Sequence, residues 1–223
     1  CRRLLLAQDT GGNGRQTMKE RHPIVYIVDD DSGARVSLRS LLKSVGITAT
    51  AYPSARDFLA TYQTSDPGCL LLDVRMPGMS GLELQMELNL RGATIPVVFL
   101  TGHGDVPMAV EAMQHGAFDF LQKPYREQAL LDCVQRAMAK DRVNREALEE
   151  HEFIRANLNS LTAREREVLD LMILGKSNKT MAAELSLSQR TVEIHRANVM
   201  EKMAADSVAQ LVRMVIEVEK SGP

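Results

Sequence analysis

Five polar side chains stand at or just after the ends of four short apolar segments in the first half of the chain. They are two adjacent acids, one further acid, a hydroxyl and an amine, namely Asp29 and Asp30, Asp73, Thr101 and Lys123. Clustered carboxylates repel one another and need a cation, and Mg²⁺ prefers such oxygen ligands. A carboxylate beside Mg²⁺ can accept a phosphoryl group while an amine and a hydroxyl bind the phosphoryl oxygens. These residue types therefore predict phosphoryl transfer to a carboxylate, provided that the fold brings them together.

Asp73 is the acid that the sequence favours as the acceptor. It follows the apolar run at residues 69–72, and a Pro-Gly pair comes a few residues later. A short apolar run bounded by turn residues is typical of a buried parallel strand. Open α/β sheets build their sites at the carboxyl ends of such strands, so we predict that Asp73 takes the phosphoryl group.

The elements that must position these side chains alternate between strands and helices. Apolar runs predict strands at residues 24–28, 47–51, 69–73, 95–100 and 117–121. Helices are predicted to begin at capping residues or near an acid, namely Ser32, Ser54, Ser80, Asp105 and Glu127. This alternation predicts an α/β fold, a doubly wound five-stranded parallel sheet with helices on both faces. Right-handed crossovers would then bring the five polar side chains to one edge.

The second half of the chain carries helix signals without strands. Thr162 and Glu165 form a capping-box pattern, and Gly175 is a stop signal. Further starts are predicted at Ser177 or Asn178, at Ser188, and at Asp206 or Ser207. Four helices with one short turn at residues 185–187 are typical of a small all-α helix-turn-helix domain.

These patterns divide the chain into four predicted segments. They are a disordered extension at residues 1–21, a sheet domain at 22–138, a helical linker at 139–158 and a helix-turn-helix domain at 159–223. The extension is alternatively upstream read-through, with Met18 a plausible start. The linker is interpreted as a solvated helix. A dimerising coiled coil is the alternative, disfavoured because Asp141 stands where the apolar stripe should continue.

Composition excludes few classes of protein. The 223 residues are 44% hydrophobic, which suffices for two hydrophobic cores. The net charge of −2 indicates neither a nucleic-acid partner nor a membrane partner. Three scattered cysteines favour a reducing compartment, the cytoplasm. No apolar run approaches the roughly 18 residues of a membrane span, so no membrane partner is expected.

The polar residues of the first half resemble the receiver domain of two-component response regulators, which has a flavodoxin-like fold. The segment Thr-Gly-His-Gly-Asp-Val-Pro-Met-Ala-Val, which begins at Thr101, closely resembles FixJ-type regulators. The resemblance implies that a partner sensor histidine kinase phosphorylates Asp73 and that Lys123 contacts the phosphate. It implies that Thr101 and Phe120 form a switch pair and that the peptide bond before Pro124 is cis.

The resemblance also implies the ligands of the Mg²⁺ cofactor, namely Asp29, Asp30, Asp73 and the backbone carbonyl of Arg75. Phosphorylation would move Thr101 inward, let Phe120 follow, and form a homodimer surface at the fourth helix and fifth strand. Ordinary core packing is the alternative interpretation of Phe120.

The second domain resembles the LuxR-type helix-turn-helix, through Leu-Thr-Ala-Arg-Glu at 161–165, Gly-Lys-Ser-Asn-Lys at 175–179 and Thr-Val-Glu-Ile-His-Arg at 191–196. Because residues 161–220 carry nine Lys or Arg and nine Asp or Glu, placement rather than composition predicts binding to promoter DNA. The predicted phosphate contacts are Lys176, Asn178 and Lys179. The helix predicted to enter the major groove supplies Arg190, Thr191, Glu193, Ile194, His195, Arg196, Ala197 and Asn198. Of these, the resemblance implies that Glu193, Ile194 and Ala197 face bases.

The function predicted from these residues is a regulator that is phosphorylated on Asp73, dimerises and binds promoter DNA. One alternative is a DNA-binding regulator with a phosphorylation-independent receiver. Another is a phosphatase of the haloacid dehalogenase type. Such enzymes place a second acid two residues after the nucleophile, whereas Asp73 is followed by Val74 and Arg75, so this alternative is disfavoured. The last helix either contributes to the dimer or packs in the core.

Overall fold

The computed structural model of the chain describes residues 22–102 and 106–220. These residues form two compact units, which divide after Asp141. The predicted N-terminal extension at residues 1–21, Met18 included, and the predicted helix start Asp105 lie outside the described residues. Within the described ranges, no helix is both long and apolar enough to cross a membrane.

The first unit is built on a five-stranded sheet in which all pairings are parallel. The strands are β1 (Ile24–Val28), β2 (Ala49–Tyr52), β3 (Gly68–Asp73), β4 (Val97–Thr101) and β5 (Asp119–Gln122). Their order is β2-β1-β3-β4-β5, so the direction of winding reverses between β1 and β3. In such sheets a crevice opens at the carboxyl ends of the two strands that flank this reversal. The predicted doubly wound parallel sheet is confirmed, with β2, β4 and β5 beginning two residues later than predicted.

Five helices follow the strands, and side-chain caps set where several of them begin. They are α1 (Ser32–Ser44), α2 (Ala55–Thr61), α3 (Gly81–Leu90), α4 (Val106–Gln114) and α5 (Glu127–Asn159). The predicted caps Ser54 and Ser80 are confirmed. The prediction that Ser32 caps α1 is wrong. Asp31 does so, because its extended backbone lets the carboxylate accept the N–H of Gly33 at 2.7 Å.

Alternation along the strands divides the hydrophobic core between the two faces of the sheet. One face packs against α2, α3 and α4 and holds Tyr26 in edge contact with Phe58 and Tyr62. The other face packs against α1 and the first half of α5. Not every apolar residue of α1 joins this core, since Val36 is 65% exposed.

Asp141 is buried, although it lies in the charged run interpreted above as a solvated linker helix. Its side chain is one of the few buried polar groups, and its Oδ2 accepts the backbone N–H of Gly68 at 2.8 Å. Gly68 begins β3 with a φ of +145°, and a Cβ there would collide with the backbone carbonyl of Ile24. Asp141 therefore fastens α5 to the amino end of the strand that carries Asp73 at its other end.

We expect Asp141→Ala to lower the free energy of unfolding of the first unit by about 2 kcal/mol, because a buried N–H loses its acceptor. Asp141→Asn should lose less, because its amide oxygen can still accept from Gly68. Urea unfolding at neutral pH measures both changes. An alanine variant as stable as the wild type would show that the hydrogen bond contributes nothing.

The second unit is helical and begins inside α5. Ile154 and Leu158 near the end of α5 pack into the core of four further helices. These helices are α6 (Ala163–Ile173), α7 (Asn178–Glu184), α8 (Gln189–Lys202) and α9 (Val208–Lys220). The capping box of Thr162 and Glu165 and the cap Ser188 are confirmed. Of the two predicted starts Ser177 and Asn178, Ser177 is the cap of α7.

Candidate functional sites

The carboxyl edge of the sheet brings Asp29, Asp73 and Lys123 into direct contact. Asp29 follows β1, Asp73 ends the neighbouring β3, and Lys123 follows β5. The Lys123 Nζ donates to Asp29 Oδ2 at 2.9 Å and to Asp73 Oδ1 at 2.6 Å. One ammonium therefore binds both carboxylates at the point where the winding of the sheet reverses.

Backbone N–H groups fix the second oxygen of each carboxylate. Asp29 Oδ1 accepts from the N–H of Asp31 at 2.8 Å, and Asp73 Oδ2 accepts from the N–H of Arg75 at 2.9 Å. Asp29 is 1% exposed, whereas the side chain of Asp73 keeps 14% of its surface in solvent. Asp73 is thus oriented from both sides and is the more accessible of the two acids.

Burial and charge set the protonation of this site. Burial raises the pKa of Asp73, hydrogen bonding to Lys123 opposes that rise only in part, and the Asp29 charge adds to it. Burial alone would lower the pKa of Lys123, but its hydrogen bonds to Asp73 and Asp29 raise that pKa above the ordinary value. Lys123 is therefore a cation at neutral pH, beside a carboxylate that is more basic than an exposed aspartate.

The two predicted switch residues differ in burial. Thr101 ends β4 and is 3% exposed, and its backbone carbonyl accepts the N–H of Lys123 at 2.7 Å. Phe120 lies on β5 with 42% of its surface exposed. Ordinary core packing, the alternative interpretation of Phe120, does not describe this position. The structure thus holds a buried hydroxyl residue near the acids and an aromatic side chain at the surface.

Asp29 and Asp73 suit a Mg²⁺ ion, because their oxygens already share one cation and Mg²⁺ favours carboxylate oxygens. Asp30 is exposed, and among the described residues no three His, Cys, Asp or Glu side chains form a set of metal ligands. The roles of Asp30 and of the Arg75 carbonyl stay predictions.

Three residues of this edge were not predicted to take part. Asp31 binds Asp29 through its N–H and caps α1 through its carboxylate. Gly81 begins α3 against the backbone carbonyl of Asp73, where a Cβ would collide. Tyr125 follows the cis Lys123–Pro124 peptide bond, and burial foremost raises its pKa. Their signals in the sequence were a third consecutive acid, a glycine after a cap and an aromatic after Lys-Pro.

The second unit presents α8 as a helix with a buried and an exposed side. Val192 and Val199 are fully buried. Glu193 and Ala197 are exposed, and Ile194 keeps 49% of its surface in solvent. An aliphatic side chain held out of the core beside polar neighbours can reach the apolar edge of a base pair. The residues predicted to face bases therefore share the open side of this helix.

Intramolecular contacts engage several other predicted DNA contacts. The Lys176 Nζ binds Glu184 at 3.0 Å, and the Arg190 guanidinium lies 3.6 Å from the Glu193 carboxylate. Thr191 is part of the α8 cap, where its N–H donates to Ser188 Oγ at 3.0 Å. The Lys176 and Arg190 side chains would have to exchange partners on binding DNA, which makes each a weaker contact than its charge alone suggests.

The remaining predicted contacts differ in exposure. Lys179 is exposed at the start of α7, where its charge is available to a phosphate. His195 is half-buried, and its Nδ1 is buried without a hydrogen-bond partner among the described residues. The half-buried positions also include Asn178, Arg196 and Asn198.

A half-buried ion pair joins α8 to α6. The Lys202 Nζ contacts the Glu165 Oε2 at 2.6 Å, and the same oxygen accepts the N–H of Thr162 at 2.8 Å. The Glu165 side chain is only 4% exposed. Hydrogen bonding to Lys202, followed by that to Thr162, lowers the pKa of Glu165 to about 2. The capping-box acid of α6 thereby also fixes the last turn of α8.

We expect Glu165→Gln to lower the free energy of unfolding of the second unit by about 2 kcal/mol at pH 7, because the buried Glu165 carboxylate loses its charge-assisted hydrogen bond with Lys202. The carboxyl pKa is lower in the folded state, so its stabilisation is complete above about pH 4.5 and is lost as the pH falls towards about 2. Wild-type stability should decline across that window more steeply than that of the variant. Parallel pH profiles of the two proteins would contradict the assignment.

Residues 25–135 match the family described as response regulator receiver domain, and residues 159–215 match bacterial regulatory proteins of the luxR family. The chain is 46% identical over 206 residues to nodulation protein W of Bradyrhizobium diazoefficiens, covering 92% of this chain and 91% of that protein. It is 46% identical over 192 residues to the transcriptional regulatory protein FixJ of Azorhizobium caulinodans, covering 86% and 91%. The structure of the response regulator StyR superposes with a TM-score of 0.82 at 45% identity, covering 87% of this chain and 98% of that one.

Proposed function

Since the chain belongs to the response regulators that join a receiver domain to a luxR-family DNA-binding domain, we propose that Asp73 accepts a phosphoryl group from a partner sensor histidine kinase. The phosphorylated chain then dimerises and binds promoter DNA in the cytoplasm. The observation that supports this proposal is the contact of Lys123 with both Asp29 and Asp73 at the reversal point of the sheet.

Asp73 is the nucleophile of the transfer. A carboxylate oxygen of Asp73 attacks the phosphorus of the phosphohistidine, and the histidine nitrogen leaves with the electron pair of the broken P–N bond. Lys123 is already beside Asp73 and moves with little displacement to a phosphoryl oxygen. Mg²⁺, when bound, neutralises charge on the phosphoryl oxygens. Asp29 and Asp73 would hold it, with Asp30 and the Arg75 carbonyl as the further predicted ligands.

The phosphoryl group signals through its charge. It adds about −1.5 to −2 charges and three acceptors at the edge of the sheet. The hydroxyl of Thr101 donates to one of these acceptors, and Phe120 turns inward from its exposed position. The surface of α4 and β5 changes as a result, and two chains associate through it. The charge added at Asp73 thereby leads to formation of a homodimer.

Pairing of two chains compensates for the balanced charge of the DNA-binding domain. With nine basic and nine acidic residues at positions 161–220, one copy gains little from phosphate contacts. Two linked copies on a paired site bind with an avidity that exceeds the affinity of either. Phosphorylation thus controls DNA binding by controlling the pairing of two α8 helices.

The proposal is tested by acetyl phosphate with Mg²⁺, followed by genome-wide mapping of bound DNA and gel-shift titration of a recovered site. We expect Mg²⁺-dependent labelling, dimers in solution and at least a tenfold gain in DNA affinity. Chelation of Mg²⁺ before acetyl phosphate is added should prevent all three. Labelling that leaves DNA affinity unchanged would favour a phosphorylation-independent regulator, and absence of labelling would refute the role of Asp73.

A further inference from the structure

Asp29 has every polar group engaged by a partner on a different element or on the adjoining loop. Its backbone N–H donates to the carbonyl of Tyr52 on β2 at 3.3 Å. Its two carboxylate oxygens accept from Asp31 and Lys123. The remaining group is its backbone carbonyl, which accepts from the guanidinium of Arg35 at 2.7 Å. A carbonyl of a residue that is 1% exposed depends on such a donor.

Arg35 lies on α1, close after the acidic loop, and binds that loop twice. Its backbone N–H donates to the carbonyl of Asp31 at 3.1 Å, and its Nη1 donates to the carbonyl of Asp29. The Asp31 carboxylate meanwhile accepts from Gly33 in the same helix. The loop that bears the acids is therefore fixed by the first turns of α1, and Arg35 supplies the bond that reaches back to Asp29.

Two effects of Arg35 on a bound cation oppose each other. As a positive charge beside the acids, it would repel Mg²⁺, and its removal would tighten binding. As a donor to Asp29, it holds the carboxylate in the orientation that faces Asp73, and its removal would weaken binding. The hydrogen bond to a fully buried residue argues for the second effect, because outer partners that orient metal ligands change metal affinity by about 10–100-fold.

We infer that Arg35 is a positioning residue for the cation site, acting through the backbone carbonyl of Asp29 rather than by touching the ion. This inference rests on the proposed function, since it presumes that Asp29 and Asp73 hold Mg²⁺. On this inference, α1 contributes to the Mg²⁺ affinity of the site formed by Asp29 and Asp73.

Direct Mg²⁺ titration of the full chain by calorimetry tests the inference without a phosphodonor. Arg35→Met keeps the length of the side chain and removes the donor, so we expect about a tenfold higher Kd. Arg35→Lys keeps a donor and should bind within about threefold of the wild type. Arg39→Met, one turn further along α1 at an exposed position, removes the same charge and should change nothing.

Several outcomes would overturn the inference. One is that Arg35→Met binds Mg²⁺ as tightly as the wild type or more tightly. Another is that Arg35→Lys loses as much affinity as Arg35→Met. Circular dichroism and urea unfolding verify the fold of each variant, and Arg35→Gln replaces the methionine variant if that one unfolds. A wild-type chain that binds no Mg²⁺ would overturn the proposed cation site itself. A wild-type chain that binds, with an unaffected methionine variant, would overturn only the role of Arg35.

Discussion

Asp73→Asn is expected to abolish labelling by acetyl phosphate, with a loss of at least about 100-fold, the scale at which removal of a reacting group is seen. An amide oxygen is too weak a nucleophile to displace the phosphoryl group. Lys123 and Arg75 bind different oxygens of Asp73, at 2.6 and 2.9 Å, and the single amide oxygen of asparagine can still accept from one of them, so the fold should be retained. Phosphate-affinity electrophoresis of the full chain after incubation with acetyl phosphate and Mg²⁺ measures the result.

The matched control for this variant is Asp132→Asn, which changes an exposed acid on α5 away from the sheet edge. It should be labelled as the wild type is. The asparagine variant at position 73 should also lose the gain in DNA affinity that acetyl phosphate gives, while its binding without phosphodonor stays the same. Wild-type labelling of Asp73→Asn would move the acceptor to another residue and refute the assignment.

Lys123→Met is expected to slow labelling by about 100-fold, because a preorganised donor to developing phosphoryl charge contributes on this scale. Its effect on Mg²⁺ should have the opposite sign. Without the ammonium, Asp29 and Asp73 repel each other and attract a divalent ion more strongly, so the Kd for Mg²⁺ should fall. Labelling rates at saturating Mg²⁺ and calorimetric titration separate these two effects.

Lys140→Met, an exposed position on α5, is the control for loss of a single positive charge. It should leave the labelling rate and the Mg²⁺ affinity unchanged. If Lys123→Met is labelled at the wild-type rate, the lysine serves only to neutralise the acids in the absence of metal. A combined loss of labelling and of Mg²⁺ binding would instead show that Lys123 holds the loop in place.

The local signals in the sequence predicted the elements well, because they depend on near neighbours. Capping by Ser54, Ser80, Ser177 and Ser188 requires only an N–H two or three residues further on. The same locality explains the one cap that was misassigned. Asp31 and Ser32 are both good caps, and the choice between them depends on where the backbone leaves β1, which is a property of the sheet.

Burial of polar and apolar side chains could not be predicted with the same success. Asp141 was interpreted as a member of a solvated run, yet it binds a backbone N–H 73 residues away. Phe120 lies in the apolar run that predicts the fifth strand and Val36 is an apolar residue of the predicted first helix, but both are exposed. Arg35 gave no signal that its guanidinium reaches a carbonyl six residues earlier. Each of these outcomes depends on how another element packs against the residue or on the path that a loop takes.

The sequence by itself determined the order of strands and helices, the residues at the strand ends and the helix-turn-helix character of the second half. These features follow from apolar periodicity and from the rule that parallel strands end at one edge. Only the tertiary structure decided that Lys123 binds Asp29 and Asp73 together, that Asp30 is exposed, and that α1 holds the acidic loop through Arg35. Hydrogen bonds depend on the distance and orientation of donor and acceptor in space, and the order of residue types along the chain does not specify either.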